Sequence, residues 1–128
     1  MAVRPTILVA EPEALQSLSV RKLVLETAKF NVLTAHSTRE AAELFAIFPN
    51  VSGVVLVSGD KAIDCNTIAD LVKRSYPATP VIVLLQGNGF YKTADVNLPA
   101  CNPDELLDKM RELFGDPRRL EEQNEQRQ

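Results

Sequence analysis

Five short apolar runs, separated by longer stretches with helical spacing, constrain this chain more than anything else in it. Thr6 to Ala10 (TILVA), Asn31 to Ala35 (NVLTA), Gly53 to Val57 (GVVLV), Val81 to Leu85 (VIVLL) and Ala94 to Leu98 (ADVNL) each have the length of a strand. Their near-continuous hydrophobicity fits strands covered on both faces, as in a parallel sheet. Between them lie helical segments. Glu13 to about Lys29 contains no Gly or Pro and places Leu15, Val20, Leu23 and Val24 on one side. Ser37 with Glu40 forms a capping box ahead of a stripe of Ala41, Leu44, Phe45 and Phe48. A short helix after about Asn66 carries Ile68, Leu71 and Val72, and Asn102-Pro103-Asp104-Glu105 opens a last one that buries Leu106, Met110, Leu113 and Phe114. Alternating strands and helices predict a parallel sheet with right-handed crossovers and helices on both faces. Such folds place ligands at the carboxyl ends of their strands, here the loops after Ala10, Val57, Leu85 and Leu98.

The chain has 128 residues, of which 45% are hydrophobic, enough for one core and one domain. Residues 1–116 are read as that domain and 117–128 as a polar tail or linker, since Leu120 is the single apolar residue after Arg118. Lys and Arg number 14 against 17 acids, so no basic surface calls for direct nucleic-acid binding. Cys65 and Cys101 are too few for a disulfide framework or a closed metal cage. No stretch has the length of a membrane span or the form of a signal peptide, which makes a cytoplasmic protein the expectation.

The phrases ILVAEPEAL, FNVLTAHSTREAAELF, VSGVVLV, PVIVLL and LPACNPDELLDKMREL, in that order and spacing, resemble a response-regulator receiver domain of two-component signalling. The resemblance covers residues 6 to about 114 and implies a three-layer α/β/α, flavodoxin-like fold with sheet order 2-1-3-4-5. It also implies an active site that this chain has mostly lost. Two acids, a phosphorylated Asp, a hydroxyl and a lysine are expected. Glu11 fills the first acidic position, Pro12 the second, Val57 (or, one residue on, Ser58) the acceptor, Leu85 the hydroxyl and Leu98 the lysine. Magnesium requires hard oxygen ligands, and a leucine cannot neutralise a phosphoryl oxygen. Pro99 is retained, and the resemblance predicts a cis Leu98–Pro99 bond. Only twelve residues separate Leu85 from Leu98, so the family's fourth helix is expected to be shortened or missing.

The reading is therefore a degenerate receiver, or pseudo-receiver: a non-catalytic bacterial signalling module with no metal and no cofactor, working through a protein partner or a homodimer independently of phosphorylation. Two alternatives stand beside it. One is an active receiver phosphorylated at a displaced Asp60, with Glu11 and Glu13 holding magnesium; the other is a small-ligand domain using an apolar pocket lined by Val57, Leu85 and Leu98. Possible partner contacts are Leu18 and Leu25, seven apart on the first helix, and Phe90 and Tyr91 in the loop that replaces the lost helix. Gln86-Gly87-Asn88-Gly89 reads as a turn and not a phosphate cradle, and His36 as a loop residue.

Overall fold

The apolar runs do form strands, the inner three of them hidden from both sides, and all five residues of the third are buried. The computed structural model describes residues 4–12, 20–87, 89–100 and 102–117. Its elements are β1 (Thr6–Ala10), α1 (Val20–Thr27), β2 (Asn31–Ala35), α2 (Thr38–Ile47), β3 (Gly53–Val57), α3 (Cys65–Ser75), β4 (Val81–Leu85), β5 (Val96–Pro99) and α4 (Pro103–Phe114). The strands pair in parallel in the order β2-β1-β3-β4-β5, as expected. No helix occurs among the described residues between β4 and β5, which accounts for the helix count of four.

The pleat sorts the core into two layers. Leu8, Val54, Leu56 and Val83 meet Phe45 of α2 and Ile68 and Val72 of α3 on one face. Val9, Val55, Val57 and Leu84 meet Leu25 of α1 and Leu106 and Met110 of α4 on the other. At the start of β3 a side chain is excluded: a Cβ on Gly53 would lie 2.6 Å from the ring of Phe114, so glycine lets α4 close on the sheet. None of the helices in the described residues is long and apolar enough to cross a membrane.

Helix ends follow local chemistry. Ser37 Oγ accepts from Glu40 N at 3.0 Å, and Glu40 returns to His36 N at 2.7 Å, a capping box displaced by one residue. Asn102 caps α4 through Asp104 N and Glu105 N, with Pro103 at the first position. Asp64 caps α3 through Thr67 N at 3.1 Å. The Thr67 N–H, and then its hydroxyl, hold the Asp64 carboxyl below its ordinary range. At the end of α1, Lys29 takes the left-handed conformation with φ 74°. There Lys29 N bonds to Glu26 O and Phe30 N to Leu25 O, while the Leu25 and Phe30 side chains share one core layer; this is a Schellman closure.

That closure corrects the expectation for α1. Leu25 is fully buried and is a core residue, not a partner contact, whereas Leu23 is 53% exposed. The buried stripe is turned by about one residue because Leu25 must meet Phe30 and Arg21 must reach Glu11. Leu15, Leu18 and Glu13, and the tail from Arg118, lie outside the described residues. Phe48 is 47% exposed, since it is the residue capping α2 and has left helical geometry. Leu71 and Leu113 are exposed too. The fifth strand begins at Val96, two residues late.

The Leu98–Pro99 bond is trans, against expectation. Ala100 N donates to Leu85 O, so the proline nitrogen faces away from β4 at an open sheet edge. A residue without an N–H costs no ladder bond there, and the chain stays extended through it.

Two stability measurements check these end structures. Lys29→Gly removes left-handed strain and should raise unfolding free energy by about 0.5–1 kcal/mol in urea melts. Asp64→Ala should lower it by about 1 kcal/mol at neutral pH. Since the folded-state carboxyl is the more acidic, its contribution is present above the ordinary carboxylate pKa and is lost as pH falls through the folded value. The Asp64→Ala and native curves should therefore converge in acid.

Candidate functional site

Glu11 and Pro12 follow β1, Ser58 follows β3, Leu85 ends β4 with Gln86 and Gly87 after it, and Pro99 ends β5; of these, Ser58, Leu85, Gln86 and Gly87 border one crevice. Glu11 extends the β1 ladder by one bond, its N–H donating to Ala35 O at 2.9 Å. Its side chain is 3% exposed, and Arg21 Nε of α1 donates to Glu11 Oε2 at 2.6 Å. The one acid retained from the expected set is thus neutralised from within the domain. His36 Nδ1 lies 3.2 Å from Glu11 O, so this histidine fastens the end of β2 to that of β1.

Ser58 follows β3 on the pleat face of Val54 and Leu56, is buried, and donates its N–H to Leu84 O. Its Oγ accepts from Gln86 N at 3.1 Å, which ties the ends of β3 and β4 together. Gly59 then turns with φ 95°, where a Cβ would come within 3.1 Å of Gln86 Cβ. Asp60 is exposed, but its Oδ1 accepts from Ala62 N at 2.8 Å and its carbonyl from Ile63 N at 3.2 Å. It closes a turn.

The expected apolar pocket of Val57, Leu85 and Leu98 does not form. Strand alternation sends Val57 and Leu98 into the α1/α4 layer and Leu85 to the opposite face. What borders Leu85 is a crevice of about 130 Å³ shared with Ser58, Gly59, Gln86, Gly87 and Tyr91, and an open hollow of about 310 Å³ reaching Ala100. Ser58, not Val57, faces this space.

The loop after β4 is held from β5. The Asn97 side chain accepts from Tyr91 N at 3.0 Å and donates to Tyr91 O at 3.1 Å, an amide closing on a backbone unit as a strand would. Asp95 accepts from Val81 N at 2.7 Å and pairs with Lys73. Tyr91 packs against the core that a helix would otherwise cover, while Phe90 is 71% exposed. Nothing in the sequence points to Arg21, Asn97 or Asp95 in these roles. An isolated Arg on a helix and an Asn in a strand are visible only once their partners are placed. Cys65 is buried at the start of α3, and desolvation, then the charge of Asp64, push its thiol up to about 11, which leaves it unreactive at neutral pH.

Arg21→Ala strands a buried carboxylate, whereas Glu11→Gln removes the charge and leaves an amide in its place. Urea melts should show a loss of about 2–3 kcal/mol for the first and about 1 kcal/mol for the second. Equal losses would mean that Glu11 is not held as an ion inside the domain.

No protein-family profile matches the chain, and no curated protein sequence matches it. Solved structures do. A response regulator receiver domain protein from Clostridium thermocellum superposes with a TM-score of 0.76 at 22% identity, covering 91% of this chain and 98% of that one. The chemotaxis protein CheY4 of Vibrio cholerae gives 0.70 at 20% identity, covering 88% and 100%. The response regulator TrrA from Thermotoga maritima, solved in complex with Mg²⁺ and BeF, gives 0.68 at 23% identity, covering 86% and 99%. With strand order and layering, these likenesses establish that the chain has the receiver fold.

Proposed function

We propose that this chain is a binding module of two-component signalling built on a receiver scaffold, working in the bacterial cytoplasm without accepting a phosphoryl group. The observation that carries the reading is the Glu11–Arg21 ion pair: the carboxylate best placed to hold a cation already has one. The donors around it do not fit magnesium. Pro12, Leu85 and Leu98 offer no side-chain oxygen, and Ser58 offers a neutral hydroxyl, already accepting from Gln86 N, on the pleat face opposite the α1 layer that Glu11 meets. The T. maritima neighbour was solved with Mg²⁺ and BeF. Here the corresponding strand ends are closed by contacts within the domain. A protein that has exchanged its ionic switch for aliphatic packing and internal hydrogen bonds acts through what its surface binds, not through turnover.

A displaced acceptor at Asp60 finds little support, because a phosphoryl acceptor must stand in line beside its metal, and this carboxylate is engaged as a turn cap. A ligand pocket finds little either, since the hollows beside Leu85, of about 130 and 310 Å³, are open to solvent and neither is lined by Val57 or Leu98.

Incubation with acetyl phosphate and Mg²⁺, followed by intact-mass measurement, should leave both the native chain and Asp60→Asn unmodified. A magnesium-dependent phosphoryl adduct that disappears in Asp60→Asn would establish the displaced acceptor and sink the proposal.

A further inference from the structure

The two edges of the sheet are built differently. On β5 the bond from Ala100 N to Leu85 O turns Asn97 and Pro99 outward, and the Asn97 side chain is occupied by Tyr91 while Pro99 has no N–H to offer. That edge is blunted. On β2, Asn31 N donates to Pro5 O and Ala35 O accepts from Glu11 N, so Asn31, Leu33 and Ala35 face β1. Val32 and Thr34 therefore direct their N–H and C=O groups away from β1, and β2 is the end strand of the sheet. Its five residues, NVLTA, include no charge, proline or glycine, the devices that protect an edge from pairing.

A groove runs beside this edge, between β2 and α2. It comprises a hollow of about 340 Å³ at the Asn31 end and one of about 420 Å³ at the His36 end, both walled by Ile47. Ile47 is 67% exposed, and Phe48 beside it is exposed as well. The ends differ in charge. Exposed Arg4 and Lys29 flank the Asn31 end, and exposed Glu40 and Glu43 the His36 end, where Arg39 engages Glu43.

We propose that two copies of this chain pair antiparallel along β2, joining their sheets into one of ten strands. With Leu33 on the two-fold axis, Val32 of each copy faces Thr34 of the other, and the two pairs exchange four backbone hydrogen bonds. The same axis lays the basic Asn31 end of one copy against the acidic His36 end of the other. A parallel arrangement would oppose like charges instead. Ile47 of each copy comes over the groove beside the other copy's Leu44, where exposed apolar surface is covered twice by one symmetric contact. This deepens the binding-module reading by naming the partner as a second copy. The two fail separately, since a phosphoryl adduct would leave the dimer untouched and a monomer would leave the crevice argument untouched.

Analytical ultracentrifugation of the full chain should give the mass of two copies. Thr34→Pro, which removes an outward N–H, and Ile47→Lys, on an exposed side chain, should each raise the dimer Kd at least about tenfold, with circular dichroism showing the fold retained. Leu33→Cys in a Cys101→Ser background should form an intermolecular disulfide in air, because the Cα atoms of such a non-hydrogen-bonded pair stand about 4.5 Å apart. A monomer at millimolar concentration overturns the proposal, as does a dimer that neither substitution weakens. A dimer that both weaken but Leu33→Cys does not cross-link overturns the antiparallel register.

Discussion

A parallel sheet covered by helices on both faces hides nearly all of its backbone polar groups, so chemistry and recognition are confined to the strand ends and the two edges. Here that confinement is severe. Val54, Val55, Leu56 and Val57 of β3 are fully buried, and β1 is buried from Ile7 to Ala10. Neither strand can expose a functional side chain before it ends. The residue just past each strand then decides what the domain can do: Glu11 after β1, Ser58 after β3 and Gln86 after β4.

Each of those three residues bonds inward. Glu11 is charged and buried, a state that costs several kcal/mol without a partner, and Arg21 from α1 supplies one. Ser58 donates its N–H to Leu84 O and its Oγ accepts from Gln86 N, so it stitches the ends of β3 and β4 twice. The His36 contact with Glu11 O joins the end of β2 to that of β1. Groups that would meet an incoming ion in an open site are here satisfied by neighbours, so opening the crevice would cost the hydrogen bonds that now close it. The arrangement stabilises the strand ends.

The fold was legible in the sequence because strand and crossover patterning is set by packing and does not depend on which residues stand at the strand ends. TILVA, GVVLV and VIVLL are hydrophobic for reasons of packing alone, and the Ser37–Glu40 and Asn102–Pro103 helix starts carry their own chemistry. What could not be read was phase and pairing. Leu23 and Leu25 are both leucines two apart on α1, and only the Phe30 closure and the reach of Arg21 decide which is buried. Val57 and Ser58 are one residue apart at a strand end, and only the pleat decides that the serine faces the crevice. The trans bond before Pro99 belongs to the same class, since an X–Pro sequence permits either isomer.

Shortening the β4–β5 connection removes a helix but not the need to cover β4 and end the sheet. Asn97 meets that need by presenting a side-chain amide to the Tyr91 backbone, and Asp95 does so by binding Val81 N and Lys73 together. These bonds order a loop that contains two glycines and would otherwise carry a large conformational entropy. They also occupy the β5 side of the sheet with the chain's own groups, and Pro99 withholds the donor that remained. A domain that seals one edge in this way while leaving a β-branched, uncharged strand at the other has concentrated its capacity for backbone recognition in β2. The deletion at one side of the molecule thus bears on which side is left to bind.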